Sequence, residues 1–327
     1  MTKPIAALIG TGRISHFHAQ ALKGANFDLR HVAASLNSST VENFALEHEI
    51  FEVWKNPIDL AHSDKWDVLV IAGRIEATTE LLQIASSSGK PILVEKPISY
   101  ELSDFDAIPL ENENIFVGYN RRYYAPVQKA KEFIDTRGPS LALVELPQSL
   151  KYEDRGYNFA PFVSNAIHGI DLATYLFGRL EIDKINVLNE RSNGAAVVAM
   201  GKTLNNHLVQ FVINFNASSN FSITIDHNQE RFQLRPFEMG SYYKGTDIIE
   251  PDDKYPARRY VPKLIDQTTV YDAGSTIKPG LLEQCLALKA CLNGKPRDNI
   301  AATVLEAKHS LELIYLLKST FGSASDQ

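Results

Sequence analysis

Two glycines separated by one residue, Gly10 and Gly12, follow a short apolar segment near the amino terminus. They open the segment 10–15, which reads Gly-Thr-Gly-Arg-Ile-Ser. In such a turn the first glycine permits a tight bend and the second lets a backbone approach a pyrophosphate. The third position needs a small residue, which Ser15 provides. The pattern predicts a phosphate-binding turn between a strand and a helix, and a glycine turn without a ligand is the alternative.

A second chemical signal stands at the end of the next predicted strand, at Ser35. In folds that bind NAD, an acidic residue at this position usually accepts hydrogen bonds from the ribose hydroxyls. This chain instead continues Ser35-Leu36-Asn37-Ser38-Ser39, with no carboxylate that would repel a 2′-phosphate. The sequence therefore predicts NAD or NADP as the cofactor, with a slight preference for NADP.

The third signal is the tripeptide Glu95-Lys96-Pro97, directly after the predicted strand 92–94. The carboxyl edge of an open parallel sheet is where ligands bind. Pro97 keeps the backbone of Lys96 extended. A lysine at this place can donate a hydrogen bond to a substrate hydroxyl, and a surface lysine without function is the alternative.

The elements that must position these residues alternate in the first third of the chain. Apolar strands are predicted over 5–9, 31–35, 68–72, 92–94 and 115–118, with helices between them. Continuous apolar strands separated by helices indicate a parallel sheet covered on both faces. Beyond residue 120, several runs of period-two character predict an antiparallel sheet. Residues 240–280 are expected to form a long loop because they are rich in Pro, Asp, Tyr and Lys.

Composition excludes several classes of protein. The 327 residues carry 33 basic and 39 acidic side chains, a formal net charge of −6, which argues against nucleic-acid binding. There is no apolar run of about 18 residues, so no membrane span is expected. Cys285 and Cys291 match no metal-binding spacing, and no metal is predicted. Lys3 and Pro4 lead directly into the first strand without a leader, so we expect a cytoplasmic protein.

The motifs together resemble one family over essentially the whole chain, that of glucose–fructose oxidoreductase, inositol dehydrogenase and rhizopine-catabolism proteins. The resemblance rests on the following segments: the glycine turn, Val70-Ile71-Ala72, Glu95-Lys96-Pro97, residues 117–123 (VGYNRRY) and residues 165–172 (NAIHGIDL). It implies an α/β protein in two domains. An N-terminal Rossmann domain with a doubly wound parallel sheet would cover residues 1–119. An α/β domain with a large, mostly antiparallel sheet would cover residues 120–327, and copies would pair through that sheet as a homodimer or homotetramer.

The resemblance also implies hydride transfer between a nicotinamide and a hydroxyl or carbonyl of a sugar, sugar nucleotide or polyol. Lys96 matches the active-site lysine of the family and His168 its acid/base, a role suited to an imidazole with a pKa near neutrality. Cofactor contacts are expected at Gly10, Thr11, Gly12, Arg13, Ile14, Ser35, Ala72, Glu95 and Lys96. Substrate contacts are expected at Asn120, Arg122, Ser164, Asn165 and His168.

Two departures from the family pattern keep alternatives open. Ser164 stands four residues before His168, where many relatives carry an aspartate that can stabilise an imidazolium. Residues 73–76 read Gly-Arg-Ile-Glu where the family often has a Thr-Pro-Asn-His-like stretch. Branches that act on nucleotide-linked sugars resemble the Asn-rich version around position 165. The alternatives are a nicotinamide-dependent glycoside hydrolase or lyase of the same fold, and a catalytically silent NAD(P)-binding protein.

Overall fold

The computed structural model of the protein describes residues 2–36, 38–147, 152–153, 156–157, 160–190, 194–214 and 217–322. The strands are β1 Ile5–Ile9, β2 Asp28–Ala33, β3 Glu52–Trp54, β4 Val68–Ile71, β5 Ile92–Val94, β6 Ile115–Val117, β7 Leu141–Glu145, β8 Tyr152–Glu153, β9 Gly156–Tyr157, β10 Leu180–Glu190, β11 Gly194–Thr203, β12 Leu208–Asn214, β13 Ser222–His227, β14 Glu230–Leu234, β15 Met239–Ile249 and β16 Arg259–Thr269. The α-helices are α1 Arg13–Gly24, α2 Val41–Glu47, α3 Pro57–His62, α4 Ile75–Ser86, α5 Ala125–Arg137, α6 Ala160–Asn165, α7 Ile167–Phe177, α8 Leu281–Leu292 and α9 Val304–Gly322.

The first six strands form one parallel sheet in the order β3-β2-β1-β4-β5-β6. The chain runs outward from β1 in one direction and then from β4 in the other. The strand order reverses between β1 and β4, and in doubly wound sheets ligands bind outside the carboxyl ends of the strands at that point. The predicted Rossmann fold is confirmed, and the glycine turn follows β1 at the reversal.

Burial explains why these short segments form central strands. Val68, Leu69 and Val70 are completely buried, as are Ala6, Ala7 and Leu8 on the neighbouring strand. A strand with apolar residues on both faces is stable only when helices cover both faces of the sheet. Helix α1 covers β1 with a face that includes the fully buried Ala19 and Leu22.

The second large sheet has eight strands in the order β10-β11-β12-β7-β13-β14-β15-β16. All neighbouring strands pair antiparallel except β12 and β7, which are parallel. The prediction of a mostly antiparallel sheet is therefore confirmed. Its interior carries alternating buried residues, such as Val209, Phe211 and Ile213 on β12.

The expected long loop over residues 240–280 was wrong. This segment contains nearly all of β15 and the whole of β16, two neighbouring strands of 11 residues each. Most side chains of β16 are exposed, so no alternation of buried and polar residues marks it in the sequence. The Pro- and Asp-rich residues 251–256 are only the connection between the two strands.

Contacts divide the chain into two compact units. The first contains residues 1–123 and a returning segment, 274–313, and the second contains residues 124–273 and the end of α9. The division into domains at residues 119 and 120 stays a prediction. Among the described residues, no helix combines the length and the apolar character that a membrane crossing requires.

Candidate functional site

The glycine turn packs against the end of β4. The φ angle of Gly10 is +118°, and a Cβ at Gly10 would lie 2.3 Å from the carbonyl oxygen of Ala72. Only glycine fits both this conformation and this close approach. Gly12 has an ordinary φ of −77°, yet no heavy atom would lie within 4 Å of a Cβ built there. The first glycine is thus required by the fold, whereas the second borders open space.

The helix that follows the turn presents its amino terminus to that space. Gly12 is the N-cap of α1 and no side chain caps the helix, so its first amide groups are available to an anion. Ser15 is fully buried, and its hydroxyl lies 3.4 Å from the carbonyl oxygen of Ala72. Arg13 is exposed and Ile14 is half-buried. The open backbone at Gly12 and the uncapped helix fit the pyrophosphate of a dinucleotide.

Hydroxyl groups connect the glycine turn with the segment after β2. The Oγ1 atoms of Thr11 and Thr40 are 2.7 Å apart, and the Oγ of Ser38 lies 3.0 Å from the Oγ1 of Thr40. Ser35 is exposed beside this group in the chain. Residues 34–40 contain no carboxylate. The segment therefore carries no negative charge at the place where an acidic residue would oppose a 2′-phosphate.

A histidine of α1 holds the glutamate of the Glu-Lys-Pro turn. The Nε2 of His18 lies 2.7 Å from the Oε1 of Glu95, and the His18 side chain is fully buried. Burial acts to raise the pKa of Glu95, but the hydrogen bond from His18 and the charges of His18 and Lys96 outweigh it and hold the pKa below its usual value. Glu95 is therefore an ionised carboxylate in a largely buried position.

Lys96 lies among other cations at the same edge of the sheet. Burial lowers the pKa of Lys96, the positive charges of Arg121 and Lys278 lower it further, and Glu95 opposes them. Burial also lowers the pKa of Lys278. The charge of Glu95 opposes this shift, and the charges of Arg121 and Arg13 add to it. Several cations therefore surround one carboxylate, and the edge as a whole attracts anions.

Two predicted substrate contacts have partners within the first unit. The side-chain amide of Asn120 donates to the carbonyl oxygen of Pro279 at 2.9 Å. Arg122 is only 1% exposed, and its Nη1 lies 3.2 and 3.3 Å from the two carboxylate oxygens of Glu306. Both residues thus contact the returning segment, and substrate contact by either stays a prediction.

The predicted acid/base is at the start of α7, in the second unit. His168 is buried, Ser164 is half-buried and Asn165 is exposed. Residues 160–177 form two helices, α6 and α7, which meet at Ala166. A Cβ at Gly169 would lie 2.3 Å from the Cδ2 of Leu146. Glycine at this position therefore allows α7 to pack closely against Leu146, the residue that follows β7. The roles of Ser164, Asn165 and His168 stay predictions.

Sequence reasoning missed two members of the cationic group, Arg121 and Lys278. Arg121 lies inside the VGYNRRY segment, but only its neighbour Arg122 was predicted as a substrate contact. Lys278 precedes α8, far along the chain from Glu95, and no local pattern marks it. His18 lies near the glycine turn. Its partner Glu95 follows β5, two strands away from β1 in the sheet, so the pairing could not be inferred from the sequence.

Residues 6–110 match the sequence model of a family described as oxidoreductases with an NAD-binding Rossmann fold. This match covers the glycine turn, Ala72 and the Glu-Lys-Pro turn. The amino-terminal third of the chain is therefore similar in sequence to this oxidoreductase family. The resemblance inferred from the motifs is therefore confirmed.

Known family members resemble the chain at low identity. Myo-inositol 2-dehydrogenase of Thermotoga maritima is 23% identical over 192 residues, which are 54% of this chain and 56% of that protein. The match therefore spans less than two thirds of the relative. Scyllo-inositol dehydrogenase from Lactobacillus casei, solved with NAD(H) and scyllo-inositol, has a TM-score of 0.71 at 16% identity and covers 99% of this chain and 98% of its own.

A third relative was solved as the UDP-N-acetylglucosamine 3-dehydrogenase from Acidithiobacillus ferrooxidans. It has a TM-score of 0.71 at 16% identity, covering 97% of each chain. At these identities the two solved structures show that the fold is shared over nearly the whole chain. That shared fold includes the large second sheet, which the family match over residues 6–110 does not reach.

Proposed function

We propose that the protein is an NAD(P)-dependent oxidoreductase that transfers a hydride between a nicotinamide and a hydroxyl-bearing carbon of a sugar, sugar nucleotide or polyol. The observation that carries the proposal is the open backbone at Gly12. This residue is the N-cap of a helix without a side-chain cap, and it lies where the strand order reverses. The names of the relatives support the substrate class, since they act on inositols and on a nucleotide-linked sugar.

Five residues of the glycine turn would hold the dinucleotide. Gly10 shapes the turn, Gly12 and the amides of Arg13 and Ile14 face the pyrophosphate, and the hydroxyl of Thr11 lies beside the ribose segment. Bound nicotinamide supplies the hydride acceptor or donor. Ser35 would face the adenosine ribose. The preference for NADP expected from the sequence is supported by the uncharged hydroxyls at Ser38 and Thr40.

Lys96 would position the reacting oxygen of the substrate. Its ammonium group can donate a hydrogen bond to that oxygen and stabilise negative charge that develops there. Glu95 keeps a counter-charge next to it, and His18 keeps Glu95 ionised. Because burial and neighbouring cations lower the pKa of Lys96, its proton is more easily shared with an alkoxide than that of an exposed lysine.

His168 would move the proton of the substrate hydroxyl. An imidazole suits this step because its unperturbed pKa is near neutral pH. Ser164 cannot supply a negative charge to stabilise the imidazolium, so a hydrogen bond from Ser164 or Asn165 would have to take that place. The family resemblance supports this assignment.

A second copy of the chain would pack on the eight-stranded sheet. Several large apolar side chains are exposed there, among them Leu188 on β10, Ile248 on β15 and Leu264 on β16. Exposed apolar groups of this kind are typical of protein interfaces. Light scattering during gel filtration distinguishes a dimer or tetramer from a monomer.

A screen with both oxidised cofactors tests the function. Purified protein is incubated with NAD or NADP and a panel of polyols, hexoses and nucleotide-linked sugars, and reduced nicotinamide is followed by absorbance. We expect net reduction with at least one substrate class, abolished in Lys96→Met and retained in the exposed control Lys65→Met. Glycoside cleavage without net reduction would favour the hydrolase alternative. Cofactor binding without any turnover would favour a silent protein.

A further inference from the structure

Three side chains with metal-binding atoms converge on the surface of the first unit. They are His16 on α1 together with Glu47 and His48 at the end of α2. The Nδ1 of His16 lies 2.9 Å from the Nε2 of His48 and 3.2 Å from the Oε1 of Glu47. The distance between the Nε2 of His48 and the Oε1 of Glu47 is 3.7 Å. None of the three residues belongs to the glycine turn 10–15 or to the Glu-Lys-Pro turn, and the proposed oxidoreductase function does not use them.

With neutral imidazoles, a single proton serves all three atoms. If His48 donates its Nε2 proton to the Nδ1 of His16, that nitrogen presents a lone pair, and the Glu47 oxygen 3.2 Å away meets it without a proton between them. If His16 carries the proton instead, one N–H is shared by two acceptors. Either way, the three atoms share a single proton, whereas a cation between them would take a lone pair from each.

The spacing of the three atoms matches a tetrahedral ion. Zinc binds imidazole nitrogen and carboxylate oxygen at about 2.0–2.1 Å, so two ligand atoms of a tetrahedral site are about 3.3–3.4 Å apart. The observed separations of 2.9, 3.2 and 3.7 Å scatter around that value. A triangle with these sides has a circumradius of about 1.9 Å, so an ion at zinc–ligand distance from all three atoms lies just outside their plane, as in a tetrahedron.

The ligand set and its surroundings also suit a metal ion. Two imidazoles and one carboxylate are a known zinc ligand set that leaves the fourth position to water. The buried ring of Phe44 contacts both imidazoles, with centroid distances of 4.8 Å to His16 and 4.5 Å to His48. These ring contacts limit the orientations that the two imidazoles can adopt. Glu47 is 62% exposed, so an ion can enter from solvent.

We propose that His16, Glu47 and His48 form a zinc site that fastens α1 to α2. The ion would join α1 to α2, two helices that are separated in the chain by β2. Helix α1 is the one that begins at the glycine turn. The site does not depend on the proposed oxidoreductase activity. Its occupancy would stabilise the folded chain, because the three ligands converge only in the folded state.

Equilibrium dialysis against Zn²⁺ tests the site directly. The full chain, without a polyhistidine tag and after treatment with a chelator, is expected to bind about one Zn²⁺. His16→Gln, His48→Gln and Glu47→Gln are each expected to weaken binding about tenfold or more. The controls are Glu49→Gln, which removes an acid that pairs with Lys23 near the cluster, and His62→Gln, which removes an exposed histidine. Both controls are expected to bind as the wild type does.

Cobalt spectroscopy and melting provide independent readouts. Co²⁺ in the site is expected to give the intense visible bands of four-coordinate cobalt, which Glu47→Gln should weaken or abolish. Glu47 is exposed, so this variant is not expected to misfold, and Zn²⁺ should raise the melting temperature of the wild type more than that of the variant. The proposal would be overturned by no bound Zn²⁺, by binding unchanged in the three ligand variants, or by a six-coordinate cobalt spectrum.

Discussion

The Nε2 of His18 lies 2.7 Å from the Oε1 of Glu95, and this hydrogen bond ties α1 to the turn that carries Lys96. His18 is fully buried and comes from the helix that begins at the glycine turn. Glu95 is the residue immediately before Lys96. The element that would receive the cofactor phosphates and the element that would contact the substrate are thereby held in one arrangement.

Removing His18 is expected to destabilise the protein. His18→Leu places an apolar side chain where the imidazole lies and removes the hydrogen bond to the Oε1 of Glu95, while the backbone amide of Lys96 still donates to the Oε2. Losing the partner of this largely buried oxygen costs about 1–3 kcal/mol. Urea unfolding at neutral pH measures the loss, and the exposed His62→Leu is the control. Equal stability of His18→Leu and the wild type would show that the pair contributes nothing to folding.

The same pair gives a pH dependence with a definite sign. The pKa of Glu95 is lower in the folded state than in the unfolded chain, so the unfolded state binds more protons in the acid range. The stability that ionised Glu95 contributes is present above its pKa in the unfolded chain, and it is lost as the pH falls through its pKa in the folded state. His18→Leu is expected to lose less stability than the wild type as the pH falls from about 4.5 through the lower pKa of folded Glu95. A larger acid-induced loss in the variant would contradict this assignment.

The two glycines of the turn are expected to respond differently to substitution. Gly10→Val forces a Cβ to 2.3 Å from the Ala72 oxygen at a φ of +118°, so it should unfold the protein or destabilise it by several kcal/mol. At Gly12 an added Cβ would have no heavy atom within 4 Å, so Gly12→Val should lower stability by less than about 1 kcal/mol. Thermal melting of both variants tests the contrast, which equal destabilisation would refute.

Lys96 is expected to control turnover. Lys96→Met should lower kcat about 100-fold or more because a hydrogen-bond donor to the reacting oxygen is lost. Since the pKa of Lys96 is lowered, the wild-type rate should fall on the alkaline side below the usual lysine pKa of about 10.4. Lys96→Arg, which stays protonated, should move this fall to higher pH. A pH profile identical in the two proteins would exclude Lys96 as the titrating group.

Glu306 tests whether Arg122 has a structural role. Glu306 accepts from Arg122 and, through its Oε2, from the amide of Thr303, whose Oγ1 accepts from the amide of Glu306. This reciprocal pattern is a capping box at the start of α9. Glu306→Gln preserves the cap but removes the charge opposite Arg122, so unfolding should require about 1–2 kcal/mol less. KM should stay unchanged, and a raised KM in this variant would instead connect Arg122 to substrate binding.

The sequence was sufficient to predict the first sheet, because β1 and β4 are continuous apolar segments and the glycines of the turn stand directly after β1. It was insufficient for β15 and β16, whose exposed side chains lack the pattern of a half-buried strand. Contacts between distant segments were also out of reach. Lys278 and Glu95 are brought together only by the returning segment, and His16 meets His48 only when α1 and α2 pack.

Titration of the purified protein with NADH and with NADPH, followed by nicotinamide fluorescence, tests the central claim most directly. We expect saturable binding of at least one cofactor by the wild type and a strong loss in the folded Gly12→Val variant. Ser35→Asp should weaken NADPH more than NADH, because its carboxylate repels the 2′-phosphate. Binding of neither cofactor by folded wild-type protein, or equal binding by Gly12→Val, would contradict a dinucleotide site at the glycine turn.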